Sequence, residues 1–511
     1  MKSQGQGRGG QPTPVFTFSD DPSRVESRLG HEVDVPDRVL LRIAEACPTV
    51  DTGAGARVEA GRDWWPLTVS WGLAGSVPAL PAVVATPAST SEVAALLKVC
   101  REEKIPVTPV AGRSGVCGAS VPVFGGVALD MTGLSGIVDV DDESLIVTVK
   151  AGTFGDRFEE DLRDEHGLTI GHRPQSIALS TVGGWLACRG AGQYSTRYGK
   201  IEDLVVGMEV VLADGSVIRT GPGAPRAAAG PDLNQLFVGS EGTLGVITET
   251  RLRARPVPTA TRKAAFGFDT FADGLDACRR ILRRGAAPAV LRLYDAEESK
   301  QKFEIDRTVL VVLDEGDPAL IEGVMKVVKD ECTHGAELLD AGLVNHWLEH
   351  CNEVPSLEDL SRARIVADTI EVAASWASLP GLYKSAVESV MAINGTLLVS
   401  AHQSHSYTDG ACLYFTFAGR PAGDGAAGAN ANAGDSYYRR AWDAVMTATL
   451  ERGGAISHHH GIGINRGRHL RRSLGPSFDV LASIKSALDP EGILNPGKLG
   501  LPSRWGDAPW P

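Results

Sequence analysis

At 511 residues the chain is too long for one ordinary core, and two domains with extensions are expected. Hydrophobic residues make up 43% and charged residues 22%, the balance of a soluble globular protein. The formal net charge of −13 offers nothing to nucleic-acid phosphates, so any bound anion must be met by locally placed Arg or His.

Residues 1–22 are polar and rich in Gly and Gln, the composition of a mobile tail, with no apolar core of a secretory signal. Residues 36–80 gain Trp, Leu and Val and read as an N-terminal extension packed on the main body. From residue 81 the pattern changes. VVAT (83–86) predicts a strand, and Ser89 to Glu92 form a capping box that starts a helix with Val93, Leu96, Leu97 and Cys100 on one face. PVTPV (106–110), VALDM (127–131) and LIVTVKAG (145–152) predict further strands. Residues 204–220 predict a hairpin turning at Asp214-Gly215, and LGVITETRLRARPVP (244–258) starts as a strand and ends in proline punctuation. This order predicts an α+β domain over 81–255.

Residues 256–455 alternate helical and strand segments (FADGLDACRRILRR, VLRLYD, TVLVVLD, a helical 318–334) and predict a second α+β domain. Within it, 420–436 is low in complexity and reads as a flexible loop. Residues 456–511 form a Gly- and His-rich C-terminal segment. The eight Cys include no C-x-x-C pair and read as reduced thiols. No apolar run reaches membrane-span length, and DAPWP is neither a peroxisomal tripeptide nor a prenylation box, so cytoplasm is the default location. Peripheral membrane contact through an exposed apolar patch stays open.

Three glycine-rich motifs carry the chemistry of the first domain. Pro109 to Gly118 lies between predicted strands, and its glycines let backbone N–H groups turn toward one point, as a pyrophosphate requires. It is neither G-x-G-x-x-G nor a Walker loop. Gln175 to Trp185, continued by Arg189-Gly-Ala-Gly192 and Tyr198 to Asp203, repeats small residues and hydroxyls where a flat ring could press on the backbone. Gly239 to Thr248 brings three glycines into a strand approach. Each alone is compatible with a tight turn; their order and spacing together are not.

These motifs resemble the FAD-binding PCMH-type domain of the vanillyl-alcohol oxidase superfamily, shared with D-lactate dehydrogenases and alkyldihydroxyacetonephosphate synthases. The resemblance spans residues 80–500 and implies an α+β fold: a two-subdomain FAD-binding domain, a substrate cap, and a C-terminal segment returning to the flavin. Carried over by position, FAD contacts are expected at Pro109, Val110, Ala111, Gly112, Arg113, Ser114 and Gly115. A second set is Gln175, Ser176, Ile177, Ala178, Leu179, Ser180 and Thr181, with Cys188, Arg189, Gly190 and Ala191. The third is Glu241, Gly242, Thr243, Leu244, Gly245, Val246 and Ile247. Members that bind flavin covalently use a His beside the first loop; GRSGVCGAS has none, so noncovalent FAD is expected, with Cys117 a small buried thiol.

Three further motifs belong to the cap side. Ser457 is followed by His458, His459 and His460, then Gly-Ile-Gly, a loop that fans imidazoles around a site, where they bind phosphate, move protons or ligate metal. Tyr414 alternates to one face of a strand, and Arg292 interrupts an apolar one as an ion pair or an anion anchor. Together they resemble the alkyldihydroxyacetonephosphate synthases more than other members. That implies Tyr414 as acid/base, with Arg292 and the His triplet needed for activity. The reaction implied is exchange of the acyl group of acyl-dihydroxyacetone phosphate for a fatty alcohol through a flavin N5 adduct, in a possible homodimer. The family's second substrate-binding Arg falls at Leu357 or Glu358 here, with Arg362 and Arg364 displaced from it. The DPEGILNPGK terminus is closer to the 2-hydroxy-acid dehydrogenase branch, whose hydride transfer to flavin N5 with His460 as base is the alternative. No metal is assigned: that branch's ligand positions hold His459 and TDGACLYF, and His402 with His405 are read as structural or proton-bonding. A noncatalytic flavin scaffold would leave Arg292, Tyr414 and the triplet incidental.

Overall fold

A computed structural model describes residues 21–29, 32–221, 226–353, 357–421, 427–508 and 510. The predicted first-domain strands form at Val83–Ala85, Val107–Val110, Val127–Asp130 and Ile146–Lys150, with the helix Thr90–Glu103 between the first two. Ser89 caps that helix by accepting from the Glu92 N–H at 3.2 Å, and Glu92 reaches back to the Ala88 N–H at 2.9 Å. The first three of these strands, joined by Val50–Asp51, make a four-stranded sheet, parallel except where Val50–Asp51 pairs with Val83–Ala85. Val50–Asp51 comes from the extension, so that segment contributes to the sheet itself. The fourth lies in a five-stranded antiparallel sheet with the hairpin Val205–Val211 and Val217–Thr220, which turns at Asp214 and Gly215. Gly215 sits at φ +79°, a conformation a side chain resists.

The second half builds a seven-stranded antiparallel sheet. Its order is Ala336–Leu339, Ala260–Phe268, Thr308–Gly316, Val290–Tyr294, Thr396–Ser406, Gly410–Gly419 and Val366–Ser375. Period-2 alternation splits each strand between two faces. Leu291, Leu293, Ile370, Val372, Ala401, Leu413 and Phe415 enter one core with the helices Phe271–Arg283, Pro318–Cys332, Leu379–Met391 and Ala427–Glu451. Each large side chain so buried is worth roughly 1.5–3 kcal/mol. Arg292, His402, Tyr414 and Glu371 therefore share the opposite face. That face is turned toward the first domain: Tyr194 and Tyr198 pack there with Tyr294 and Trp347.

The segment 420–436 is not a loop throughout. From Ala427 onward the chain is helical, through Glu451, because Ala and Asn tolerate a helix that Tyr437, Tyr438 and Trp442 anchor in the core; residues 422–426 lie outside the described residues. The expected tail lies outside them as far as residue 20.

The extension ties both halves together. The Trp64 N–H donates to the Gly115 carbonyl at 2.8 Å, while Trp65 Nε1 donates to Tyr438 Oη at 2.9 Å. At the other end of the chain, Ile493 to Asn495 run beside Val107: the Val107 N–H donates to the Ile493 carbonyl, and the Asn495 N–H to the Val107 carbonyl, each at 2.8 Å. Among the described residues no helix is long and apolar enough to cross a membrane. All eight cysteines are free thiols.

Candidate active site

Strand register puts four side chains in a row across the sheet. Tyr294 lies opposite His402, His402 opposite Tyr414, and Tyr414 opposite Glu371. Lateral neighbours in a ladder share a face, so the row is a direct consequence of register. The His402 ring stacks on Tyr414 with centroids 4.6 Å apart.

Glu371 organises the His-rich loop. Its fully buried carboxylate accepts from Ser457 Oγ at 2.8 Å, from the N–H groups of His458 at 2.5 Å and His460 at 3.0 Å, and from Arg466 Nη1 at 2.9 Å. Burial raises its pKa, but the Arg466 charge, then His460 and the N–H donors, outweigh it and hold Glu371 below the usual range. From the opposite side, buried Glu241 accepts from the Ile462 N–H and, at 2.9 Å, from that of Gly463. A loop that must fan out three imidazoles is thus pinned at both ends by carboxylates from different domains. Lys200, in the Tyr198–Asp203 motif, adds a third tie by donating to the His458 carbonyl at 2.7 Å. Gly463, at φ +54°, passes so close to the Cys117 carbonyl that a Cβ would collide with it.

With the loop fixed, its side chains form a continuous hydrogen-bond chain. Tyr414 Oη is 2.5 Å from His459 Nε2 and 3.4 Å from His460 Nε2. His459 Nδ1 is 2.8 Å from His458 Nδ1, and His458 Nε2 is 3.0 Å from Tyr407 Oη. Tyr407 Oη is 3.2 Å from Ser195 Oγ, which is 2.7 Å from His405 Nδ1. Burial pushes all three loop imidazoles down, His460 to about 4, so they are neutral. Burial pushes Tyr414 well above its ordinary value, with Cys412 and Glu371 adding to it, so it is a phenol. One set of proton positions then satisfies every link, each group donating to the next: Tyr414 to His459, His458, Tyr407, Ser195 and His405. The same folding brings ring nitrogens of His405, His458 and His459 within 4.8 Å of one another, and likewise ligand atoms of Glu371, Cys412 and His459.

Arg292 sits beside this chain. Its Nη2 donates to His402 Nε2 at 2.8 Å, and His402 Nδ1–H therefore donates to Glu298, 2.9 Å away. Burial lowers His402 to about 4 against the pull of Glu298. Arg292 Nη1 donates to Gln193 Oε1 at 3.3 Å, while its buried Nε–H has no partner among the described residues. A guanidinium held this way keeps its charge and one unpaired donor inside the cluster. Arg362, by contrast, pairs with Glu358 at 2.5 Å on an exposed helical turn, and the structure does not bring it to this cluster.

The first-domain loops suit a dinucleotide. The N–H groups of Gly112, Arg113, Ser114 and Gly115 donate to no backbone carbonyl among the described residues, so a run of donors stays open. Gly112 packs on the Leu179 carbonyl so tightly that a Cβ would collide, which joins the first loop to the Gln175–Thr181 loop. Thr181 caps the helix Val182–Cys188 by accepting from the Gly184 N–H at 3.3 Å, and Arg189 follows at φ +56°. These residues fit the pyrophosphate of FAD. The carboxylate of Glu241 is directed to the His loop instead. Burial pushes the Cys117 thiol far up, which suits packing and not reactivity.

The FAD binding domain family matches residues 81–221, and the FAD linked oxidases, C-terminal domain family matches residues 257–499. An uncharacterized FAD-linked oxidoreductase, YgcU of Escherichia coli strain K12, is 31% identical over 446 residues, covering 82% of this chain and 89% of that protein. The chain belongs to the FAD-linked oxidoreductase family. This FAD-linked oxidoreductase is also 30% identical to the alkyldihydroxyacetonephosphate synthase of Dictyostelium discoideum over 465 residues, 83% of this chain and 74% of that protein. A solved structure of alkyldihydroxyacetonephosphate synthase shares its fold at TM-score 0.75 and 24% identity, covering 95% of this chain and 89% of that one. The cofactor of this FAD-linked oxidoreductase is FAD.

Sequence reasoning assigned no role to Glu371, Arg466, Tyr407 or Ser195. Glu371 had a signal: an acid inside the apolar strand DTIEVAAS, the same anomaly that singled out Arg292. Ser195 and Tyr407 had none.

Proposed function

We propose that the protein exchanges the acyl group of an acyl-dihydroxyacetone phosphate for a fatty alcohol, with no net oxidation. The observation that carries this reading is the proton chain that begins at Tyr414 beside the Arg292 guanidinium. Bound FAD would supply an electron-accepting ring to stabilise the substrate carbon during the exchange. Tyr414 Oη takes a proton from the carbon next to the substrate carbonyl as its own proton passes to His459 Nε2; the chain through His458 and Tyr407 disperses that charge, and reversal returns the proton. The bond between that carbon and the carboxylate oxygen breaks, the alcohol oxygen forms the new C–O bond to the same carbon, and the alcohol's proton goes to the departing carboxylate, which leaves as fatty acid. Arg292, braced by Glu298 through His402, holds the phosphate. Arg292 and the three loop imidazoles are each half-buried.

Support for this reading also comes from the 30% identity to a synthase of that name. The test is anaerobic titration of the purified holoprotein with acyl-dihydroxyacetone phosphate. A flavin spectral change, reversed on adding fatty alcohol with an alkyl ether formed, supports the exchange. Bleaching only by 2-hydroxy acids, reversed by an electron acceptor, replaces it with a dehydrogenase.

A further inference from the structure

A second cluster of ligating side chains lies away from the site, on the helix Gly342–His350. The run His346-Trp-Leu-Glu349-His350 places two imidazoles at i and i+4 with a carboxylate between them, so all three share one helix face. All three are exposed, and one ligand atom from each falls within a group no wider than 4.8 Å. The rings are 4.4 Å apart at their centroids.

Both imidazoles are already oriented for this. His346 Nε2 faces the Lys302 carbonyl at 3.1 Å, and His350 Nδ1 faces the His346 carbonyl at 2.8 Å. A carbonyl only accepts, so each of those nitrogens carries a proton, which leaves the opposite ring nitrogen as the one to ligate a metal. Donation of the second ring N–H to a carbonyl is how metal-binding histidines are usually held. We propose that His346, Glu349 and His350 form a surface site for a divalent transition-metal ion of the zinc class. Two imidazoles and one carboxylate match that ion, and water completes a tetrahedron. Ligand atoms around zinc stand about 3–3.5 Å apart, which the exposed side chains reach by small rotamer changes.

The site sits on the support of Arg292. Between its ligands, Trp347 turns inward and lies 5.9 Å from the Arg292 guanidinium carbon. Just beyond them, Asn352 Oδ1 accepts from Gln193 Nε2 at 2.9 Å, and Gln193 Oε1 accepts from Arg292. A metal across the last helical turn would clamp that turn. The proposal does not depend on which reaction the flavin site performs.

The experiment uses full-length, FAD-loaded protein stripped with a chelator and titrated with Zn²⁺ against a chromophoric indicator. The parent is expected to bind one equivalent more than H346A/H350A. Glu349→Gln is expected to weaken that equivalent by about tenfold or more, at least the loss seen when a supporting group is removed. Any equivalent held by His405, His458 and His459 would remain in all three proteins. Independently of variants, Zn²⁺ should shield His346 and His350 of the parent from carbethoxylation, read by peptide mass. Equal stoichiometry and affinity in parent and double variant, or unshielded imidazoles at saturating Zn²⁺, would overturn the site.

Discussion

Glu371 and Arg466 are both fully buried and meet at 2.9 Å, one on a cap strand and the other just after the His-rich loop. Arg466 Nη1 also donates to the Ile456 carbonyl at 2.6 Å, so the pair brackets residues 456–466. Removing one member of a buried pair leaves the other charge uncompensated, at a cost of about 3–5 kcal/mol. Glu371→Gln keeps the shape but not the charge. It should lower stability by about that much, lost in the folding of the cap and loop, and should perturb the His458–His460 backbone. Denaturant titration checks it: a variant within about 1 kcal/mol of the parent would mean the pair does not hold the loop.

Tyr414→Phe removes one hydroxyl and leaves the stacking on His402. Flavin content and melting temperature should stay close to the parent, while turnover falls about 10²–10⁴-fold, the range of a lost acid/base group. In both proteins the flavin should be recovered in the supernatant after acid precipitation, since no His flanks Cys117 in the first loop. Normal turnover in the variant would defeat the role of Tyr414.

Arg292→Lys keeps the charge but loses the fork that bonds His402 and Gln193 together. One or two charge-assisted hydrogen bonds to a phosphate are each worth about 1.5–3 kcal/mol. The expected outcome is a KM for the phosphorylated substrate raised about tenfold or more, with flavin binding intact. Kinetics with unchanged KM would remove Arg292 from anion binding.

The pH dependence has a definite sign. Burial holds His402 and His460 at about 4, below the ordinary 6.5. Between those values the unfolded chain binds more protons than the folded one. Their contribution to stability is therefore complete above pH 6.5 and is lost as pH falls toward 4. Because His458 and His459 are also held down and accept protons only when neutral, the acid limb of kcat/KM should lie below pH 6.5. A limb at or above 6.5 would show that these imidazoles are solvated and that the chain from Tyr414 is broken by water.

Much of this protein is determined locally, and that part is legible in the sequence by itself. Glycines at Gly112, Gly115 and Gly118 announce a backbone that must approach another group, Ser89 and Glu92 announce a helix start, and alternation along 409–417 turns Tyr414 away from the core. Each is a short-range constraint of sterics or hydrogen bonding, satisfied within a few residues. The helix from 427 is not legible locally for the complementary reason: its first turns mix Ala with the weaker helix formers Asn and Gly, and the aromatic residues that dock it in the core come only at its middle. The site's assembly was decided by tertiary structure alone. Tyr294, His402, Tyr414 and Glu371 become neighbours through the register of four strands, and strand order is set by packing across the whole sheet. Ser195 joins His405 across 210 positions of sequence. Glu241 reaches the His loop across 222. No periodicity encodes such contacts, because their partners are chosen by how two domains close on each other and not by the chain beside them.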